Sequence, residues 1–174
     1  FLIANGRKEG IKKGLKNKLE IREVDDFEEF WNQILIPNLT QKHHAKPVHS
    51  LEEIIKLKAL FPENIRQFNV YQSWIIVAGT TIFETTNVAH CQYISGKEGK
   101  NELGGLDLLF YQLISETFKN KRFFDFGTSN ENQGRKLNNG LSFWKESFGA
   151  STIVHDFYEV ETSNGSLLEI VLLW

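Results

Sequence analysis

The period of the hydrophobic pattern changes several times along the chain, and each change marks an element. Leu19-Glu20-Ile21-Arg22-Glu23-Val24 alternates apolar and polar, as a half-buried strand does. Asp25 then offers a carboxylate N-cap with Glu28 three residues on, and Phe27, Phe30, Trp31 and Ile34 form an apolar face at helical spacing, limited or kinked by Pro37. Ser50-Leu51-Glu52-Glu53 is a second helix start, with Ile54, Leu57 and Phe61 on one face up to Pro62. Three strand-like runs follow, Gln67 to Tyr71, Trp74 to Phe83 and Val88 to Ile94. Their short polar breaks suit hairpins, and Gly79 within the middle run predicts a bulge or a close backbone approach. Leu106, Leu109, Phe110, Leu113, Ile114 and Phe118 predict a helix over 105–119. An aromatic strand, Arg122 to Gly127, comes next, then a polar loop over Ser129 to Asn139 and a helix from Gly140 to Phe148. Ile153 to Val160 and Leu167 to Leu173 read as closing strands around a turn at Thr162 to Gly165. The predicted order is βααβββαβαββ, an α/β (α+β) fold with a mixed, mostly antiparallel sheet covered by helices.

Composition narrows the function classes. The chain has 174 residues, of which 41% are hydrophobic and 24% charged, the make-up of an ordinary folded domain. A formal charge of −2 is too even to imply a polyanion partner from bulk electrostatics. The charge is uneven locally, because Arg7 to Lys18 carries six basic residues against the single acid Glu9. Residues 1–18 are therefore expected to be a basic helical arm or the remnant of an upstream region, either solvated or meeting phosphate groups, ahead of a domain over 19–174. The lack of any Met points to a processed product or an excised domain. One cysteine, Cys91, excludes an internal disulfide framework and fits a reducing compartment. No apolar run approaches the roughly 18–20 residues of a membrane span, so a cytoplasmic protein is expected, with its oligomeric state open.

Candidate chemistry begins at the loop from Gly96 to Gly105, which runs from a strand into the clearest helix. Unpaired N–H groups, a positive dipole end and glycines that admit close approach make Lys100, Gly104 and Gly105 a diphosphate-binding candidate. The loop follows neither the Walker nor the Rossmann spacing. His43, His44 and His49 lack companions at ligand spacing, so no metal is expected, and no Gly-x-Ser-x-Gly elbow supports a serine hydrolase.

The order of elements, with a glycine-bearing loop opening a helix after three antiparallel strands, resembles the GNAT (acyl-CoA N-acyltransferase) fold. Within that superfamily, five stretches resemble the FemAB-like branch: His49-Ser50-Leu51-Glu52-Glu53, Leu60-Phe61-Pro62-Glu63-Asn64-Ile65, Gln92-Tyr93-Ile94-Ser95, Phe124-Asp125-Phe126-Gly127-Thr128-Ser129, and Gly140-Leu141 through Lys145 to Phe148-Gly149. The likeness spans roughly Arg7 to Glu161, and two departures accompany it. Lys97 and Lys100 precede Gly104-Gly105 in place of closely spaced glycines, and there is one GNAT-like half where FemAB-type enzymes commonly have two.

The resemblance implies a bacterial acyltransferase that moves a group other than an aminoacyl group from acyl-CoA to a primary amine, such as an amino sugar or a cell-envelope precursor. The alternatives it leaves are aminoacyl transfer from tRNA and a non-catalytic binding module. It places the donor's pantetheine arm between the fourth and fifth strands, bordered by Gln92, Tyr93 and Ile94, with Lys145 meeting the donor or the developing oxyanion. Tyr93 is then a candidate acid and Glu131 a candidate base. Asp125, Ser129, Asn132 and Asn138 are candidate acceptor contacts. His90 is a lesser candidate base, and Cys91 is read as a small buried hydrophobe. Strand alternation predicts His90, Gln92 and Ile94 on one face, with Ala89, Cys91 and Tyr93 on the other.

Overall fold

A computed structural model describes residues 3–163. Strands β1 (Glu20–Val24), β2 (Ile65–Gln72), β3 (Ile75–Glu84), β4 (Val88–Gly96) and β5 (Phe123–Asp125) form one sheet in that spatial order. The first three pairings are antiparallel, and β4 pairs β5 in parallel. Helix α1 (Asn5–Lys16) and helix α5 (Gly105–Gln112), which continues as a π-helical turn over Leu113–Thr117, cover one face. The other face carries α2 (Glu28–Phe30), a π-helical turn (Trp31–Leu35), α3 (Ile36–His43) and α4 (Leu51–Leu60). After β5 come a small hairpin, β6 (Asn130–Glu131) with β7 (Lys136–Leu137), and helix α6 (Asn139–Glu146).

The sheet separates two apolar clusters. Phe68, Val70, Leu109, Phe110, Leu113 and Phe148 lie on the α5 side, whereas Phe27, Phe30, Trp31, Ile34, Ile54 and Ile76 lie on the other. Buried polar groups on the second side form a continuous chain. Thr81 Oγ1 donates to Gln67 Oε1 at 2.6 Å, Gln67 Nε2 to Asn69 Oδ1 at 2.7 Å, and Asn69 Nδ2 to Tyr71 Oη at 3.1 Å. Tyr71 Oη then donates to Glu29 Oε2 at 2.7 Å. Each member of this row thereby recovers what it loses by leaving water, whereas Trp31 Nε1 on the same side finds no partner among the described residues.

Local signals hold in most places. The Ser50 capping box forms in both directions, with Glu53 N–H donating to Ser50 Oγ and Ser50 N–H to Glu53 Oε2. Asp25 does not cap α2; Asp26 accepts the Glu28 N–H at 2.7 Å, while Asp25 pairs with Lys58. Of the two readings of Gly79, close approach is the one realised: a Cβ there would sit 2.6 Å from the Phe30 ring, and the bulges lie elsewhere. Pro37 stands at the start of α3, directly after the π turn.

Residues 151–161 carry no regular structure, and Ile153, Val154, Phe157, Tyr158 and Val160 are exposed. A strand needs a hydrogen-bonding neighbour. The one expected for this segment, Leu167 to Leu173, lies outside the described residues, as does part of the predicted turn.

Helix α1 is seated on α5 through bare backbone. A Cβ on Gly10 would overlap the Asp107 side chain, and one on Gly104 would overlap the Gly10 carbonyl. At Gly14 a Cβ would lie 2.9 Å from the Leu108 Cβ. Ile11 and Leu19 complete the contact within the α5-side cluster.

Candidate active site

The site is built where β4 and β5 part. Their parallel pairing covers Val88↔Phe123, Ala89↔Phe124 and His90↔Asp125, after which β4 runs on to Gly96 with no further strand paired to that edge among the described residues. The separation coincides with a bulge in β4. Thr81 faces Tyr93 and Ile82 faces Cys91, so Gln92 is the extra residue.

The bulge reverses the expected faces. Ala89, Cys91 and Ile94 pack toward α5, and Tyr93 packs on the opposite side beside Trp31, their rings 5.0 Å apart edge to face. Cys91 and Tyr93 therefore do not share a face. A strand residue turns its N–H and C=O to the same neighbour, and the Lys97 N–H bonds to Val77 O in β3. Counting back by alternation, the Ile94 and Gly96 amides turn toward the open edge.

The opening continues into a cleft of about 320 Å³ lined by Arg7, Ala78, Gly96, Leu106, Asp107 and Trp144. It adjoins the first turn of α5, whose N-cap Gly104 has φ 80°. Among the described residues, no group accepts a hydrogen bond from the Gly105, Leu106 or Asp107 amides. Lys100 is exposed on the loop before it, with only its backbone tied, to Lys97 and Leu103. Burial raises the Asp107 carboxyl above the usual carboxylate value, although Arg7 Nη1 lies 2.5 Å from its Oδ1 and pulls the other way. On the α5 side, Phe110, Phe126, Trp144 and Phe148 stack edge to face or tilted, with Phe110 and Phe126 centroids 5.1 Å apart.

Lys145 ties α6 to the segment that follows β5. Its side chain reaches inward from α6, leaving the residue only 6% exposed, and Nζ donates to Gly127 O at 2.9 Å and Thr128 O at 2.6 Å. Burial lowers its pKa, opposed by Cys91 and Asp125. Asp125 Oδ1 accepts the Gly127 N–H at 2.7 Å, and Oδ2 lies 2.7 Å from His90 Nδ1. Burial pushes the Asp125 carboxyl up, but the Gly127 amide, His90 and Lys145 together outweigh it and hold the group below its ordinary value. Cys91 is fully inside, and burial drives its thiol pKa well up, the opposite of what a nucleophile needs.

On the opposite side, the His49 N–H donates to Tyr93 Oη at 3.0 Å, and His49 Nδ1 lies 2.7 Å from the same oxygen. Asn38 Nδ2 donates to Ser95 Oγ at 2.7 Å and also to the Gly96 carbonyl, tying α3 to the end of β4.

The remaining sequence candidates divide into two groups. Glu131 and Asn138 meet in the β6–β7 hairpin, where Asn138 Nδ2 donates to Glu131 Oε1 at 2.8 Å, and Ser129 O accepts the Asn138 N–H. Asn138 also caps α6 by accepting the Leu141 N–H. Asn132 occupies the hairpin turn at φ 51°, exposed. Among the described residues no hydrogen bond joins this hairpin to Tyr93. Arg7, Asn38, His49 and Ser95 escaped the sequence reading as site residues. Only Arg7 and Asp107 left a trace, because Gly6, Gly10 and Gly14 recur every four residues and mark a helix face bare enough for close packing.

A larger hollow of about 500 Å³ at Lys58, Glu63, Arg66 and Glu84 is occupied by mutual ion pairs, Arg66 with Glu23 and Glu84 and Lys121 with Glu84. No group of His, Cys, Asp and Glu able to hold a metal occurs among the described residues. No helix among them is long and apolar enough to cross a membrane.

No family description and no curated protein matches this chain. Solved structures resemble it in fold. An aminoglycoside acetyltransferase from an uncultured soil metagenomic sample, in complex with sisomicin, is 18% identical, with a TM-score of 0.54 over 84% of this chain and 99% of that one. A possible acetyltransferase from Clostridium difficile 630 is 14% identical, with a TM-score of 0.60 over 82% and 97%. AAC(6')-Iy, in complex with the bisubstrate analogue CoA-S-monomethyl-acetylneamine, is 15% identical, with a TM-score of 0.55 over 82% and 98%. At such identities the likeness establishes the fold, a GNAT-type mixed α/β sheet with its helices.

Proposed function

We propose that this chain is an N-acyltransferase that takes an acyl group from acyl-CoA and delivers it to a primary amine on a small polar acceptor. The observation that carries the reading is the parting of β4 from β5 after three paired residues, at the Gln92 bulge, which among the described residues leaves a strand edge without a paired strand, opening into the cleft at the start of α5. A pantetheine arm is an extended chain of amides that can hydrogen-bond such an edge as a strand would, while its diphosphate meets the partnerless amides beyond. The structural neighbours add support: one is an acetyltransferase for aminoglycosides, and another holds a CoA bisubstrate analogue.

In this reading the amine nitrogen attacks the thioester carbonyl carbon, the C–N bond forms, and the carbonyl oxygen takes up negative charge. The Ile94 amide on the open edge donates to that oxygen. As the C–S bond breaks, the CoA thiolate takes a proton from Tyr93, and the amine's surplus proton leaves through Glu131, directly or by water. Holding both reactants in one groove supplies much of the acceleration. Lys145 acts by anchoring the Gly127–Thr128 carbonyls, which keeps β5 from closing on β4. Asp125, Ser129 and Asn138 border the acceptor's approach, and an amino sugar or a cell-envelope precursor of the kind used in the FemAB-like branch fits that polar rim.

The test is thermal denaturation with acetyl-CoA, longer acyl-CoAs, free CoA and tRNA, followed by a thiol-release assay with amine acceptors that include an aminoglycoside. A ligand bound only by the folded state raises the midpoint by mass action. A rise with CoA compounds and amine-dependent thiol release are expected. A rise with tRNA alone, or none with any donor, overturns the proposal.

A further inference from the structure

We infer that Arg7, carried on the helix that precedes β1, binds the diphosphate of the acyl donor. The inference deepens the acyltransferase reading and rests on it. Arg7 lines the cleft together with Gly96, Leu106, Asp107 and Trp144, so its guanidinium faces the space between the open edge of β4 and the first turn of α5. Lys100, the cation nearest that helix in sequence, stands exposed on the loop instead.

Arg7 is held there by backbone packing. Gly10 lies against Asp107 and Gly104 against the Gly10 carbonyl, contacts that leave α1 no room to slide. The Ala4 N–H donates to Ser147 O at 2.9 Å, and the Arg7 guanidinium lies 5.8 Å from the centre of the Phe148 ring. This placement costs the chain three glycines in and beside helices, so the docking is specific.

The guanidinium commits Nη1 to Asp107 Oδ1, and no other side-chain bond from Arg7 occurs among the described residues. A guanidinium has five N–H donors in a fixed fork, so one group can hold Asp107 and still grip a phosphate. Asp107 orients the fork but opposes an arriving anion, and a diphosphate displaces part of its claim on Arg7. The helix ahead of the sheet is thus a wall of the donor site.

The experiment measures equilibrium binding of CoA, dephospho-CoA and pantetheine against salt concentration, for the wild type, Arg7→Gln, Asp107→Asn and the double variant. The double variant keeps a neutral hydrogen bond between the two positions, and a midpoint near wild type certifies its fold. Arg7→Gln and the double variant should weaken CoA and dephospho-CoA alike, by about tenfold or more, as expected for a lost charged hydrogen bond. Pantetheine should be unaffected, the salt dependence should flatten, and Asp107→Asn alone should tighten CoA. If the wild type binds CoA and the double variant binds it equally with the same salt dependence, the inference is wrong and the acyltransferase reading stands. A loss seen with CoA but not with dephospho-CoA moves Arg7 to the 3′-phosphate and likewise overturns it. A wild type that binds none of the three compounds overturns the underlying reading.

Discussion

Gly104 and Gly99 both hold left-handed backbone, at φ 80° and 71°, but they differ in what surrounds them. Nothing lies within 4 Å of a Cβ built on Gly99, whereas one built on Gly104 runs into the Gly10 carbonyl and the Gly14 nitrogen of α1. Replacing either by Ala forces an L side chain into the left-handed region, at a cost of about 1–2 kcal/mol. At Gly104 the obstructing atoms are backbone, so no rotamer change relieves them and α1 itself must shift. Overpacking of that kind adds about 1–3 kcal/mol. For a domain of this size, about 2–4 °C of midpoint is lost per kcal/mol, so Gly104→Ala should lower Tm by about 10 °C and Gly99→Ala by about 4 °C. Thermal and urea denaturation of the two variants side by side removes the shared backbone cost and leaves the packing cost of the α1–α5 contact. Equal losses in the two variants would refute close backbone docking of α1.

The other expectations concern single side chains. Asp107 has a folded-state pKa above its unfolded one, so the stabilisation from its protonated form is present below the unfolded value and lost as pH rises through the folded value. Asp107→Asn should therefore melt higher than wild type near neutral pH, with the gain fading as the pH falls toward the ordinary Asp range near ~4; a constant difference across that range would contradict the sign. Tyr93→Phe should lower kcat by about 10²–10⁴ with little change in KM for the donor, the range for loss of a general acid, and an unchanged kcat would assign the phenol to packing against Trp31. Glu131→Gln should lower kcat by about 10²–10⁴ if the carboxylate removes the amine's proton, and full activity of the variant would take Glu131 out of the chemistry. Cys91→Ala should keep turnover while costing about 1 kcal/mol in urea denaturation through the small void it leaves; loss of turnover with an intact fold would revive a covalent route.

Elements specified within one or two turns of chain were legible in the sequence. The Ser50–Glu53 capping box needs only four consecutive residues, and the apolar stripe from Leu106 to Phe118 declares its own face. The mostly antiparallel sheet followed from short polar breaks between strand-like runs. The Gln92 bulge was not legible, because an extra residue in a strand leaves its alternation intact in the text and alters only which neighbour each residue meets. The two faces of β4 were accordingly assigned wrongly beyond Cys91. The Tyr93–His49 pair joins positions 44 residues apart, and nothing local to either announces the other. Asp125 stands between aromatics in β5, where a charged group needs a partner, and that partner, His90 Nδ1 at 2.7 Å, lies 35 residues away, so nothing local in the sequence names it.

The hydrogen-bonded row from Thr81 through Gln67, Asn69 and Tyr71 to Glu29 bears on how the sheet finds its alignment. A two-residue slip of β2 along β3 would return every apolar side chain to its original face, so oil-like burial alone discriminates poorly against it. The same slip would strand amides and hydroxyls with no water and no mate, a penalty of several kcal/mol by the usual reckoning for orphaned buried groups. Specificity of alignment here resides in the polar minority of the interior, and variants that make this row wholly aliphatic should fold to a mixture of alignments even where they gain in overall stability.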